Sequence, residues 1–351
     1  MTIKKINWNF SEIKARAPLR IGLAGGGTDL PIFSEKYGGA VLNATIDKFV
    51  YAIIKKSDEE TTFKSIDLDI EIRTSSIDDI KLDGILDLHK AVYLYIMINY
   101  CGGDFIPLQL ISLSESPIGS GMGSSSTLTV SLIKAFVELL NLPLDNYEIA
   151  KLAFKIERED CKLKGGMQDY YSATFGGINY IEFEKNKNVV VHPLKLEKSI
   201  INELQSRILL FYSGISRNSS EIISIQHDEI KNTNPTTMES MLKIKEEVFL
   251  MKNYLLTGEI DHIAASFNSG WESKKRTAPI ITNTYLDEIY SKGIEAGAVA
   301  GKVSGAGGGG FMIFIVPVLK RKKVADILME NFDGFILDCN FSENGCESWK
   351  I

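Results

Sequence analysis

Two stretches of this 351-residue chain hold residues whose types and order could do chemistry. The first, Pro117-Ile118-Gly119-Ser120-Gly121-Met122-Gly123-Ser124-Ser125-Ser126-Thr127, is a glycine and serine loop running straight into an apolar-periodic segment. Small residues let successive N–H groups turn inward on an anion, and the first turn of a following helix adds unpaired donors and the positive end of its dipole. The stretch therefore reads as a phosphate cradle. It is not a Walker A loop, because no lysine follows Gly123, and the run from Gly22 to Gly27 misses the dinucleotide spacing, with Leu30 where a glycine is required. Taken singly, such a loop is more often a plain helix start, with Ser124 or Ser125 as its N-cap. The second stretch, Ile156-Glu157-Arg158-Glu159-Asp160-Cys161-Lys162-Leu163-Lys164-Gly165-Gly166-Met167-Gln168-Asp169, sets the carboxylates Glu157 and Asp169 on either side of a glycine pair. Carboxylates can hold a hard cation or take a hydroxyl proton, although Glu157 also reads as a charge on a solvated face and Asp169 as a helix cap.

Two further glycine-rich runs accompany these. One is Arg16-Ala17-Pro18-Leu19-Arg20-Ile21-Gly22-Leu23-Ala24-Gly25-Gly26-Gly27-Thr28-Asp29-Leu30-Pro31, and the other is Lys302-Val303-Ser304-Gly305-Ala306-Gly307-Gly308-Gly309-Gly310-Phe311. In this order and separation, the loop and the two runs resemble the GHMP small-molecule kinase superfamily, named for its galactose, homoserine, mevalonate and phosphomevalonate members. The resemblance spans most of the chain. Gly25 to Pro31 departs from the galactokinase first motif, with its Asn-Leu-Ile-Gly-Glu-His core. It is similar instead to the kinases that phosphorylate D-glycero-D-manno-heptose 7-phosphate at the anomeric oxygen. The resemblance implies an α+β, two-domain fold. Residues 1–197 would form a mixed α/β, ribosomal-protein-like N-terminal domain with a left-handed βαβ unit, and residues 198–351 a ferredoxin-like C-terminal sandwich. Periodicity would not have suggested that hand, because right-handed crossovers dominate.

The resemblance also implies roles. Phosphoryl transfer needs a held nucleotide, a cation across its outer phosphates and a hydroxyl aimed in line at the γ-phosphorus. Pro117, Gly119, Ser120, Gly121, Met122, Gly123, Ser124, Ser125 and Ser126 would hold the phosphates of ATP. Ser125 and Glu157 would share Mg²⁺ with phosphate oxygens and water. Asp169 would take or orient the proton of the acceptor hydroxyl, and Arg20 would steady the transferring charge or stand one layer behind. Gly26, Gly27, Thr28 and Asp29 would meet sugar hydroxyls, with a helix cap ahead of Pro31 as the alternative for Thr28 and Asp29. Gly307 and Gly308 would flank phosphates and substrate. A sugar already phosphorylated needs cations at its far end. Arg217, in a turn with four serines between 213 and 220, and Lys302 are candidates. Ser273-Lys274-Lys275-Arg276-Thr277 also qualifies, but it reads as surface more often than site, because basic residues at a helix C-terminus answer the dipole.

Bulk properties narrow the field. A length of 351 residues suits about two domains, and 44% hydrophobic with 24% charged residues is ordinary for a soluble enzyme. A net charge of −6 argues against a general nucleic-acid or anionic-membrane binder, so an anionic substrate would need a local cationic pocket. Phe311 to Leu319, broken by Pro317, is far too short to span a bilayer, and Met1 to Lys14 lacks the apolar core of a signal peptide. Four cysteines without CxxC spacing fit reduced thiols in the cytoplasm, and four scattered histidines form no zinc pattern. The expected protein is a cytoplasmic ATP- and Mg²⁺-dependent sugar-1-kinase acting on a small-molecule sugar phosphate, with a homodimer open. The resemblance places it in nucleotide-heptose supply for surface glycans. The alternatives are an anomeric kinase of an unphosphorylated sugar, such as fucose or galactose, and a sugar or ATP sensor without catalysis.

Elements must position these residues. β-Branched content predicts strands over 13–23 and 41–55 with a short helix over 28–36 between them. Helical spacing follows over 85–100, 124–140 and from Asp145 to about Leu163, with strands over 106–113, 178–183 and 189–191. A second unit then holds a strand at 208–212, a long helical region to about Ser273, a helix over 285–296, strands at 298–304 and 311–316, and a final helix and strand.

Overall fold

The structure is a computed structural model, and it describes residues 8–216 and 219–351. The N-terminal half follows β1 (Glu12–Ala24), α1 (Pro31–Tyr37), β2 (Gly39–Lys56), β3 (Thr61–Ser65), β4 (Ile70–Thr74), α2 (Asp87–Tyr100), β5 (Leu108–Ser114), α3 (Ser124–Leu140), α4 (Asn146–Lys155), α5 (Gln168–Phe175), β6 (Ile178–Phe183) and β7 (Val189–Pro193). The C-terminal half adds α6 (Lys198–Arg207), β8 (Ile208–Tyr212), α7 (Ser219–Lys231), α8 (Pro235–Thr257), α9 (Ile260–Lys275), α10 (Thr284–Ala296), β9 (Ala300–Val303), β10 (Phe311–Ile315), α11 (Arg321–Asn331), β11 (Phe335–Leu337) and β12 (Glu347–Lys350).

The first sheet runs β12-β1-β2-β5-β3-β4, with β6 and β7 branching from β2. Eighteen residues make β2 long enough to pair β6 along Gly39–Ala44 and β5 along Val50–Lys56. The pairing of β1 with β2 slips between Pro18 and Arg20 and again between Gly22 and Ala24. Such bulges bend a strand and re-aim the side chains beside them, and Arg20 sits at one of them. β3 and β5 are parallel neighbours joined through β4 and α2. The second sheet has the order β11-β8-β10-β9, fully antiparallel, which is the strand order of a ferredoxin-like sandwich. Mixed α/β content in two sheets matches the expected class.

Local signals account for the helices that matter to the site. In α3, Val130, Ile133, Ala135, Phe136 and Leu140 repeat at helical spacing and are all buried, and Asn141 ends the helix in the left-handed region at φ 50°. Asp145 and Glu148 form a reciprocal capping box at the start of α4. The helix expected to continue to Leu163 stops earlier. Its α-pitch gives way to a π-turn over Ile156–Asp160, which carries Glu157 and Arg158. The short helix after the first glycine run begins at Pro31, so Thr28 and Asp29 lie in the turn before it.

One apolar cluster fastens the two sheets together. Leu19 and Ile21 of β1 pack with Leu210, Val248, Phe311 and Ile313 of the C-terminal half, every one of them buried. Each such side chain contributes about 1.5–3 kcal/mol on burial, so the halves share a core. The chain end also returns: β12 pairs with β1, with Trp349 opposite Lys14, and Phe341 bridges Ile46. Periodicity beyond residue 198 had placed this end with the second unit.

Candidate active site

Between the sheets lies a cleft of about 460 Å³ whose walls come from the second and third glycine segments and the Glu157–Asp169 stretch; of the first run only Arg20 reaches it, and Gly26 and Gly27 stand outside the lining. Gly119, Ser120, Gly121, Gly123, Ser124, Ser125 and Ser126 line one side. α3 begins behind a left-handed Gly123 with φ 79°, and no side chain caps it. Neither Ser124 nor Ser125 is the N-cap, so the free N–H groups of the first turn and the positive end of the dipole face the cleft. Alanine could not replace Gly123 quietly. Its Cβ would meet Asp169 Cγ at 2.9 Å, quite apart from the unfavourable φ. The third glycine run packs against the loop backbone to backbone: a Cβ on Gly305 would lie 2.7 Å from the Gly121 carbonyl oxygen, and one on Gly310 2.5 Å from that of Ser120. Close approach of two loops, one from each half, is what these glycines permit.

Arg20 and Asp169 form the central pair. Arg20 Nε donates to Asp169 Oδ1 at 2.6 Å, and Arg20 Nη1 donates to the Gly121 carbonyl at 2.6 Å. The arginine is buried at 4% exposure, whereas a fifth of the Asp169 side chain remains accessible in the cleft. Asp169 lies in the first turn of α5 without capping it. A carboxylate so anchored on one oxygen presents the other to a bound hydroxyl. In the first turns of α3 the Ser125 hydroxyl donates to Glu157 Oε1 at 2.8 Å, and Thr129 reaches Glu157 Oε2 at 3.5 Å. Glu157 is 2% exposed, and its cation is Arg158 Nη1 at 3.4 Å. Among the described residues no group of three or more His, Cys, Asp or Glu could cage a metal. One carboxylate and one hydroxyl beside a phosphate loop nonetheless suit Mg²⁺, which takes few protein ligands and completes its shell with phosphate and water.

Known proteins show the same assembly. The GHMP kinases N terminal domain model matches residues 87–177 and the GHMP kinases C terminal model residues 252–333. D-glycero-alpha-D-manno-heptose 7-phosphate kinase of Campylobacter jejuni is 41% identical over 97% of this chain and 99% of its own length. The chain belongs to the GHMP kinase family. Among solved structures, a D-glycero-D-manno-heptose 1-phosphate kinase from Bacteroides thetaiotaomicron superposes with a TM-score of 0.82 at 35% identity, covering 97% of this chain and 99% of the other. A Lactococcus lactis galactokinase shares the fold, with a TM-score of 0.75 at 19% identity over 97% and 95% of the two chains. GHMP kinases of this kind are ATP-dependent phosphotransferases, and no helix among the described residues is long and apolar enough to cross a membrane.

The remaining residues of this GHMP kinase divide by where their side chains point. Met122 is buried in the shared core and offers the site only backbone; its carbonyl accepts from the Arg20 N–H at 3.2 Å. Pro117 stands outside the cleft lining. Thr28 does not face the cleft. It is fully buried, and its hydroxyl bonds the Gly25 and Ala40 carbonyls at 2.9 and 2.6 Å and accepts from the Ala40 N–H. Asp29 is spent in the same way: Oδ1 accepts from Gly27 N–H and Oδ2 from Gln168 N–H, both at 3.0 Å, tying the first glycine turn to the start of α5 and so to Asp169. Gly307 lines the cleft, but Gly308 is buried with its N–H on the Ile281 carbonyl. Arg217 lies outside the described residues. Lys302 lies behind the first glycine turn, donating to the Leu23 carbonyl at 2.5 Å and lying 4.2 Å from the Phe267 ring centroid; burial and the nearby charge of Lys274 pull its pKa well down.

Two residues escaped the sequence. Arg158 lines the cleft beside Glu157 and holds the Leu163 carbonyl at 3.2 Å, fixing the segment that leads to Gly165. Lys274, in the segment that read as surface, donates to the Gly26 carbonyl at 3.1 Å and the Gly305 carbonyl at 3.0 Å, joining the first and third glycine runs. Nothing near Lys274 in sequence signals this, because its partners lie 248 and 31 residues away.

Proposed function

We propose that this GHMP kinase transfers the γ-phosphoryl group of ATP to the anomeric C1 hydroxyl of D-glycero-α-D-manno-heptose 7-phosphate, giving the 1,7-bisphosphate. The observation that carries the reading is the Arg20–Asp169 pair at 2.6 Å, set beside the uncapped start of α3. The loop N–H groups hold the nucleotide phosphates. The free oxygen of Asp169 accepts the C1 hydroxyl proton as the sugar's C1 oxygen bonds to the γ-phosphorus and ADP leaves, while Arg20 holds the carboxylate in place. Ser125 and Glu157 are the residues that would hold Mg²⁺, and the ion, when bound, spreads the charge of the outer phosphates. The heptose assignment is supported by 41% identity, over almost the full chain, to a heptose 7-phosphate kinase.

The similar structure from B. thetaiotaomicron carries the name of a heptose 1-phosphate kinase, so the two relatives differ in which phosphate they are said to handle. One experiment separates these readings and the free-sugar alternative. ATP consumption with Mg²⁺ is followed for the free heptose, its 7-phosphate and its 1-phosphate, and the position of the new phosphate is read by phosphorus NMR. Turnover of the 7-phosphate with phosphate appearing at C1 supports the proposal. Equal or better use of free heptose moves the assignment to an unphosphorylated-sugar kinase. ATP binding without turnover of any sugar leaves a sensor.

A further inference from the structure

The accessible face of the first glycine turn is walled by side chains that no motif predicts. Thr28 and Asp29 are buried, whereas Gly26, Gly27, Gln168 and Lys274 keep partial exposure. Gly26 has no side chain, and at the point where a Cβ would stand Lys274 Nζ is 3.5 Å away and Gln168 Nε2 3.7 Å away. Two nitrogen donors from two different helices, α9 and α5, thus converge beside Gly26. Gln168 adds an acceptor, since its Oε1 is buried and has no hydrogen-bond partner. Buried amide oxygens are rarely left so, and an orphan of this kind marks a place where a ligand donor belongs.

Lys274 is equally incomplete. Its two partners are neutral backbone carbonyls, and among the described residues no carboxylate lies within 4.0 Å of its ammonium. Burial pulls its pKa to about 8, with the charge of Arg20 acting in the same sense and Asp29 and Asp169 opposing it, so it carries its proton at neutral pH. Lys302 lies behind it on the same small cavity. Two cations, Arg20 and Lys274, therefore gather around the two carboxylates Asp29 and Asp169, of which Asp169 is already paired with Arg20 at 2.6 Å. A partly buried ammonium with one N–H to spare and no counter-charge in contact favours an incoming anion.

We propose that Lys274 and Gln168 form the acceptor-recognition subsite of this kinase, with Lys274 donating to the phosphate monoester of a phosphorylated sugar and Gln168 Oε1 accepting from a sugar hydroxyl. The subsite lies on the Asp169 side of the first glycine turn: Gln168 immediately precedes the residue that takes the proton of the C1 hydroxyl. Lys274 also bridges the Gly26 and Gly305 carbonyls, so the same ammonium that meets the acceptor holds the loops of both halves at the distance it needs. The inference rests on the acceptor being a sugar phosphate, as proposed above.

The test compares kcat/KM for D-glycero-D-manno-heptose 7-phosphate and for the free heptose in wild type, Lys274→Met, Lys274→Arg and Gln168→Leu. One charge-assisted hydrogen bond sets the expected size, so the preference of the wild type for the phosphorylated sugar should fall about 10- to 10²-fold in Lys274→Met. It should recover in part in Lys274→Arg, while Gln168→Leu should raise KM for both sugars and leave the preference standing. A Lys274→Met enzyme that loses activity equally on both sugars, or keeps its preference, overturns the inference, because a lysine that only joins the loops cannot discriminate between acceptors. Where the methionine variant does not fold, the same ratio in Lys274→Gln decides, backed by calorimetric titration of each sugar without nucleotide. A wild type that shows no preference for the phosphate overturns the proposed substrate itself, an outcome seen before any variant is made.

Discussion

Replacing Asp169 with asparagine removes the base and leaves its shape. Asparagine keeps an oxygen to accept from Arg20 Nε, as Oδ1 does now at 2.6 Å, but it puts an NH₂ where Oδ2 lies, 3.1 Å from the Cβ position of Gly123. That NH₂ donates where the mechanism needs an acceptor. Loss of a positioned general base lowers turnover about 10²- to 10⁴-fold, equivalent to about 3–5 kcal/mol in the barrier. Nucleotide affinity should hardly change, since the free N–H groups of the Gly123–Ser126 turn do not depend on this carboxylate. Stability should fall as well. Arg20, 4% exposed, loses its counter-charge, but Asp169 is a fifth accessible, so the cost is nearer about 1–3 kcal/mol than that of a fully buried break. Coupled ATP-consumption kinetics, nucleotide calorimetry and urea unfolding measure the three quantities. A folded Asp169→Asn protein with turnover within about tenfold of wild type would remove the carboxylate from the chemistry.

Other outcomes follow from the same geometry. Gly123→Ala, forced to φ 79° with its Cβ 2.9 Å from Asp169 Cγ, should weaken ATP binding and lower kcat together, at a backbone cost of about 1–2 kcal/mol; unchanged kinetics would mean the loop relaxes freely. Glu157→Gln keeps the hydrogen bond from Ser125 at 2.8 Å but removes the charge, so half-maximal activity should need about tenfold more Mg²⁺; an unshifted Mg²⁺ titration would make Glu157 structural. His89 is 1% exposed, bonded to Ser112 at 2.9 Å, and burial lowers its pKa from 6.5 to about 4. Its neutral form is therefore built into the fold, and the stability it supports is complete above pH 6.5 and is lost as pH falls toward 4, by about 3 kcal/mol. In urea unfolding, His89→Gln should flatten that part of the acid limb, and identical pH dependence in the two proteins would contradict it.

Much of the architecture was legible because it is local. The helix over 124–140 begins and ends where glycine, serine and asparagine said it would, and the strands at 178–183 and 208–212 fall on runs rich in aliphatic and aromatic residues. β3, β4 and β12 went unread because each is short and largely polar, whereas the equally short 208–212 is apolar or aromatic throughout. The π-turn at Ile156–Asp160 was hidden for a different reason. Its residues fit helical spacing, and the change of pitch answers tertiary contacts that bring Glu157 to Ser125.

By itself the sequence determined the backbone of the site: three glycine segments able to approach an anion and each other, and two carboxylates placed around a flexible pair. Only the tertiary structure decided which side chains face the cleft. Thr28 and Asp29 turn inward because the Ala40 backbone and the start of α5 claim their oxygens, whereas Lys274 leaves the surface to join Gly26 to Gly305. Periodicity and propensity report whether a segment is buried and how it coils. The partner that a polar atom finds across 248 residues is set by packing between elements, and no local signal carries it.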